Sequence, residues 1–385
     1  MTRSLRTLYA LLFMALLLGL GIWSLGGLGS FQRTAQMTVL NGKLAKAAET
    51  HYDEQFPIKR LGTNLWAALD FKLFNEGRPG VVLGREQWLF SDEEFKPVAG
   101  AEQYEAENLA LIRGVRDTLQ QQGVQLVLAI IPAKARLYPE YIGEQAPASL
   151  HQDLYNQFHA KARQAGVFAP DLLGPLQAAK AQGQVFLRTD THWTPMGAEV
   201  VAEHLADAVA RQDLLSGTPQ LFVTEAKPAT PYKGDLTNFL PLDPLFSNLL
   251  PTPDSLQPRS TRPAQAQADS GDALFADSEI PVALIGTSYS ANPHWNFLGA
   301  LQQALRSDVV NYAEDGHGPL VPMLKYLNTD AFKHSAPQVL VWEFPERYLP
   351  MKNDLSAFDP QWIAQLKKTR TANQDMALSS NRTQH

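Results

Sequence analysis

The chain has 385 residues, 45% of them hydrophobic and 19% charged, and its 33 Lys plus Arg against 39 Asp plus Glu give a formal net charge of −6. This composition supplies a packed core, excludes a globally disordered chain, and offers no basic block of the kind nucleic-acid binding needs. Cysteine is absent, which excludes disulfides, thiolate nucleophiles, Cys-ligated zinc and iron–sulfur clusters together.

Leu8 to Leu28 (LYALLFMALLLGLGIWSLGGL) carries no charge and is long enough to cross a bilayer core of about 30 Å as a helix. Arg3 and Arg6 precede it, and the positive-inside rule holds that short end in the cytoplasm. Residues 1–30 are therefore expected to anchor the chain in the cell inner membrane, with the body in the periplasm. A cleaved signal peptide is the alternative, because small residues surround Ser24 to Ser30; a clear A-x-A site is lacking. Residues 31–75 read as a helical linker broken at Pro57.

Val81–Phe90 reads as a hairpin around Gly84. The helix Ala101–Gln122 feeds an apolar run, Val124–Pro132, of the kind found in a parallel strand buried on both faces. A helix around Leu150–Ala165 and another near Leu172–Gln182 lead to a strand Gln184–Arg188 and a helix Pro195–Arg211. Residues 213–279 turn rich in Pro, Ser, Thr, Asp and Gln, and Pro251–Asp277 is nearly featureless, so a long loop is expected there. Strands Pro281–Gly286, Asp308–Tyr312 and Gln338–Phe344 then alternate with helices near Trp295–Arg306 and up to Leu327. A last helix, Pro360–Thr371, opens the polar tail 351–385. The alternation predicts a three-layer α/β/α sandwich over residues 76–350.

In open α/β sheets, chemistry gathers where strand C-termini meet loops. Asp190 and His192 follow the run Gln184–Arg188, and in extended chain positions i and i+2 share a side. One carboxylate can then orient one imidazole, as in a nucleophile–base–acid set. Ser288 lies in Gly286-Thr287-Ser288-Tyr289-Ser290, directly after a buried strand. Its hydroxyl needs an adjacent base to become a nucleophile, and His192 is the natural supplier. Gly316 and Gly318 follow a third strand, where backbone N–H groups could complete an oxyanion hole. Read alone, each motif is also a common turn, and Asp190 with His192 could begin a helix cap. A metal would need a third His or carboxylate at matching spacing, which the sequence lacks, so neither metal nor cofactor is expected.

Taken together, the order Asp-x-His before Ser, the G-T-S-Y-S turn, the N-terminal apolar segment, V-L-G-R-E-Q-W-L-F, M-L-K-Y-L (Met323–Leu327) and V-W-E-F-P-E-R-Y-L (Val341–Leu349) resemble the alginate O-acetyltransferase AlgJ/AlgX family. The resemblance covers roughly residues 75–350. It implies an SGNH-hydrolase-like α/β/α sandwich with permuted motif order, preceded by one transmembrane helix, and a catalytic triad of Asp190, His192 and Ser288. Tyr348 is implied to lie near the site. The short remainder of the chain favours the AlgJ-like branch, or the related subunit that acetylates cellulose, over a protein with a C-terminal carbohydrate-binding sandwich. The implied partners are an exopolysaccharide acceptor, a membrane-bound O-acyltransferase as acetyl donor, and other subunits of a polysaccharide acetylation and secretion complex. An SGNH-type carbohydrate acetylesterase and a non-catalytic scaffold are the competing readings. An acidic polymer would need a local basic strip, for which Lys134, Arg136, Arg188 and Arg347 are the candidates. Trp88, Trp193 and Trp295 are expected in the core rather than stacked on sugar.

Overall fold

Ser4–Leu25 forms a helix long and apolar enough to cross a membrane, with a mean hydropathy of 2.2. This computed structural model describes residues 3–368 apart from 33, 35–37, 40, 57, 144–146, 148–152 and 265–280. The expected break at Pro57, much of the loop up to Asp277 and the tail beyond residue 368 therefore lie outside the described residues. The long helix, α1 (Arg3–Leu25), belongs to a unit made of Met1–Arg78 and Phe239–Leu250. Within this unit α2 (Lys43–Gln55) is tied to the end of α1 by Tyr52 Oη, which donates to Ser24 Oγ at 2.8 Å. Next comes α3 (Lys59–Leu69), continued by a π turn over Asp70–Phe74. Asn64 Nδ2 of α3 donates to the carbonyl of Pro241 at 2.6 Å, holding the returning segment.

The second unit comprises Pro79–Asn238 and Pro251–His385. It opens with the expected hairpin, β1 (Val81–Leu83) against β2 (Leu89–Ser91) in antiparallel register. It continues through α4 (Ala101–Gln121), β3 (Gln125–Ile131), α5 (Lys134–Leu137), α6 (Leu154–Gln164), α7 (Leu173–Ala179) and α8 (Pro195–Arg211). After β4 (Phe222–Ala226), β5 (Thr230–Tyr232), β6 (Asp254–Leu256) and β7 (Arg259–Pro263) come β8 (Val282–Ile285), α9 (Ser288–Ala291), α10 (Phe297–Leu305), β9 (Val309–Asn311), α11 (Leu320–Leu327), α12 (Asp330–His334) and β10 (Val339–Pro345).

One sheet carries the architecture, in the order β3-β10-β8-β9, and every pairing in it is parallel. Its strands are apolar throughout because both faces are covered. Successive side chains point to opposite faces, which splits the core in two. Val127, Ala129, Ile131, Val282, Leu284, Val339 and Val341 pack with α7, α8 and α10. Leu126, Leu128, Ile130, Ala283, Ile285, Leu340 and Trp342 pack with α4, α6 and α11. This is the three-layer sandwich expected from the strand–helix alternation.

Two expectations need correction. Gln184–Arg188 is not a strand of the sheet; only an isolated bridge, Phe186 to Trp193, forms there. Val185, Phe186 and Leu187 are apolar because they are buried in the first core cluster, not because they sit in a ladder. The segment read as featureless also contains structure. β4 pairs with β7 and β5 with β6, both antiparallel. Their mostly polar, half-exposed residues gave no apolar pattern to read.

Candidate active site

Three of the four sheet strands end at the same rim with a residue singled out from the sequence. β8 delivers Gly286, Thr287 and Ser288; the segment after β9 delivers Gly316 and Gly318; β10 runs into Arg347 and Tyr348. The loop after β9 is stitched to the turn bearing Ser288 by Glu314 N, which donates to the carbonyl of Gly286 at 3.2 Å. A Cβ on Gly286 would overlap the Glu343 carboxylate, so glycine lets the turn pass directly over β10. Glu343, fully buried in β10, holds that turn. It accepts from Thr287 N at 2.7 Å, from Thr287 Oγ1 at 3.0 Å and from Ser290 Oγ at 3.1 Å. Burial raises its carboxyl above the ordinary range, against the pull of these hydrogen bonds.

Asp190 and His192 arrive at this rim on a loop that no ladder supports. The helix cap belongs to Thr194, whose Oγ1 accepts from Gly197 N at 3.1 Å at the start of α8, which leaves Asp190 available. Individual polar side chains hold the loop instead. Lys134 Nζ donates to the carbonyls of Leu89, Arg188 and Asp190 at 2.6, 2.9 and 2.8 Å. Asp254 accepts from Arg188 N, Thr189 N and Thr189 Oγ1 at 3.0, 2.9 and 2.5 Å. Asp235 accepts from Thr191 N at 2.7 Å.

Across the 96 residues that separate them in sequence, His192 Nε2 and Ser288 Oγ come to 2.7 Å. On the other side of the ring, His192 Nδ1 lies 2.6 Å from Asp190 Oδ1. That oxygen also accepts from His192 N at 2.9 Å, and Asp190 Oδ2 accepts from Asp235 N at 2.8 Å. Asp190 is fully buried and His192 nearly so, whereas Ser288 is half-buried. Burial pushes the Asp190 carboxyl up, but the bonds and charge of His192 and the two backbone N–H groups outweigh it and hold it below its ordinary value. Trp295 stacks on the imidazole with centroids 5.1 Å apart, and the Tyr289 ring lies 4.7 Å away. Trp88, Trp193 and Trp295 are all buried, as expected.

The remaining predicted residues fall into two groups. Gly318, Tyr348 and Arg347 join the rim. The Tyr348 ring would sit 3.8 Å from a Cβ on Gly318, and the Arg347 guanidinium lies over both the Tyr348 and the Tyr289 rings, at 4.8 and 5.5 Å. The basic strip, by contrast, does not exist as a surface. Lys134 is 1% exposed, and burial pulls its ammonium down to about 8. Arg136 is bound to Glu346 at 2.5 Å, Arg188 to Gln87 and Thr252, and Arg347 to Glu93 at 3.0 Å. Lys134 and Arg136 are structural because the carbonyls and the Glu346 carboxylate they meet are buried and require partners; Arg188 and Arg347 are engaged by neighbours that remain partly in solvent.

Sequence reasoning missed Asp235, Asp254 and Glu343. The first two lie in the segment read as a loop. Glu343 was legible as the one charge inside V-L-V-W-E-F, since a lone carboxylate in a doubly covered strand must be bonded to something specific. Asp190, His192 and Asp235 also offer ligand atoms within 4.8 Å of one another. Their oxygens accept from backbone N–H groups and the imidazole, so a cation there would displace the bonds that aim His192 at Ser288.

Residues 81–346 match the family model described as ALGX, the SGNH hydrolase-like domain of acetyltransferase AlgX. The chain belongs to this family. A curated relative from Pseudomonas putida, "Probable alginate O-acetylase AlgJ", is 78% identical over 385 residues and 100% of both chains. One of the same name from Pseudomonas aeruginosa is 56% identical over 386 residues, covering 99% of this chain and 98% of its own. The solved O-acetyltransferase domain of Pseudomonas putida AlgJ superposes with a TM-score of 0.71 at 76% identity, over 76% of this chain and 100% of that one. Pseudomonas aeruginosa AlgX, at 23% identity and a TM-score of 0.55 over 78% of this chain and 70% of that one, shares the fold. The chain is thus an O-acetyltransferase of SGNH-hydrolase-like α/β fold with one N-terminal apolar helix.

Proposed function

We propose that the chain acetylates hydroxyl groups of alginate in the periplasm, anchored in the inner membrane by α1, through a Ser288–His192–Asp190 triad and an acetyl-serine intermediate. The observation that carries this reading is the continuous relay of 2.7 and 2.6 Å from Ser288 Oγ through His192 to Asp190. His192 Nε2 takes the Ser288 proton as Oγ attacks the acetyl carbonyl of the donor. Asp190 fixes the tautomer and stabilises the imidazolium. The oxyanion is received by backbone N–H groups of the nucleophile turn and of the loop bearing Gly316 and Gly318. His192 then protonates the leaving group. In the second half-reaction it deprotonates a sugar hydroxyl, which takes the acetyl group and frees Ser288. Tyr348 and Arg347 shape the entrance. Acetyl-coenzyme A stays in the cytoplasm, so a membrane-bound O-acyltransferase is the donor partner, alongside other subunits of the polysaccharide machinery.

The test incubates the full chain with a chromogenic acetyl ester, with and without mannuronate oligosaccharide, and follows both the peptide carrying Ser288 and the sugar by mass spectrometry. Acetyl on Ser288 and on the oligosaccharide is expected. Loss of both in Ser288→Ala, on the order of 10⁴-fold or more in rate with unchanged thermal unfolding, completes the case. Release of acetate alone would make the chain an esterase, and unchanged sugar acetylation in Ser288→Ala would remove the triad from the mechanism.

A further inference from the structure

The helix α3 and its π continuation display an apolar stripe to solvent. Leu61, Leu65, Leu69 and Leu73 recur every four residues and are 51%, 48%, 39% and 68% exposed; Trp66 beside them is 65% exposed. The other side of the helix, through Asn64 and Ala68, is buried, with Asn64 bound to Pro241. Exposed Lys59 and Lys72 flank the stripe. Leucines and a tryptophan on one face with lysines beside them are the pattern of a helix that lies in a membrane interface.

What covers this face is indicated by the same unit. Tyr52 Oη is hydrogen-bonded to Ser24 Oγ at the outer end of the apolar span. Lys59 begins α3 seven residues after Tyr52, so even a fully extended chain would put that start within about 25 Å of Tyr52. The helix is therefore held beside the headgroup layer into which the span emerges, by a short tether and a specific bond. We infer that α3 rests its Leu61–Leu65–Trp66–Leu69 face in the outer-leaflet interface of the membrane that α1 crosses. This rests on the anchored topology proposed above and adds a second, lateral contact with lipid, which would limit how freely the anchored unit tilts.

The absence of cysteine permits a clean test. A Trp66→Cys chain carries an environment-sensitive fluorophore at that position alone, and Arg60→Cys carries it on the far side of the helix. Both full chains are reconstituted in phosphatidylethanolamine–phosphatidylglycerol vesicles, with or without lipids bearing a nitroxide near the headgroup. The expected result is a blue-shifted emission at position 66 that the nitroxide lipids quench several-fold more than at position 60. A water-like emission at position 66, or a shielded emission that lipid nitroxides leave untouched, overturns the inference. Since the vesicles contain lipid only, a face reserved for a protein partner gives the first of these results. Flotation after alkaline extraction reads the anchor separately: chains that fail to float would sink the anchored topology itself, whereas chains that float with a water-exposed label would sink the contact alone.

Discussion

The two halves of the active rim are built differently. Ser288 follows a strand laddered in the sheet, and its turn lies over a neighbouring strand through Gly286 and Glu343. Asp190 and His192 ride on a loop with one isolated bridge, held by three side chains from three separate segments, the buried Lys134 and Asp254 and the half-buried Asp235. A ladder spreads its free energy over many backbone bonds. A polar clamp concentrates it in a few groups whose loss leaves buried partners unsatisfied. Ser288 is thus robustly placed, and the positions of His192 and Asp190 depend on single residues.

Substitutions can break that contrast, and the largest effect belongs to the loop. Asp190→Asn presents an amide where four donors converge (His192 N and Nδ1, Asp235 N and Tyr232 Oη). One amide hydrogen pair must then face a donor, and kcat is expected to fall on the order of 10⁴-fold with the fold retained. Steady-state kinetics together with circular dichroism check it, and a loss under tenfold would remove Asp190 from the relay.

Lys134→Met removes the donor for three carbonyls and should cost about 3 kcal/mol in urea unfolding. The pH dependence has a definite sign. The folded ammonium is lowered to about 8 from 10.5, so between these values the unfolded chain binds more protons, and this group's contribution to stability rises with pH. The stability gap between wild type and Lys134→Met should widen from pH 8 to pH 10. A gap that stays constant would mean that Lys134 is not the buried cation described.

Asp254→Asn is expected to cost less, about 1–3 kcal/mol, because an amide oxygen in the place of Oδ2 can keep two of its three acceptor contacts. Hydrogen exchange at Arg188 and Thr189 should accelerate while exchange in β8 stays slow. Equal acceleration in both would erase the distinction between clamp and ladder.

Glu343→Gln should have the smallest effect, within about 1 kcal/mol near pH 5, because the amide can still accept from Thr287 N and donate to the hydroxyls of Thr287 or Ser290. Burial holds the Glu343 carboxyl above its ordinary 4.5. This group's stabilising contribution is therefore complete below that value and lost as pH rises through the folded-state pKa. Thermal unfolding from pH 4 to pH 8 should show the variant gaining on wild type as pH rises; the opposite trend would refute a raised pKa.

What could be read from the sequence follows from how each feature is encoded. Val124–Pro132, Pro281–Gly286 and Gln338–Phe344 were legible as buried parallel strands because a strand covered on both faces needs continuous apolar residues. Asp190, His192 and Ser288 stood out because reactive side chains flank sharp turns. The Gln184–Arg188 run misled for a related reason: burial by packing and burial by pairing demand the same residue types. Lys134 and Arg347 were read as solvent cations because nothing local records that carbonyls and carboxylates distant in sequence will enclose them.

The sequence by itself determined the layered architecture, the apolar N-terminal span and the three side chains proposed as a triad, since these depend on local pattern and side-chain chemistry. Only the tertiary structure decided that an imidazole and a hydroxyl 96 residues apart would meet at 2.7 Å, and that Asp235, Asp254 and Lys134 would hold the loop that makes this possible. Such contacts arise where distant segments pack together, and the residues that make them carry no periodicity along the chain.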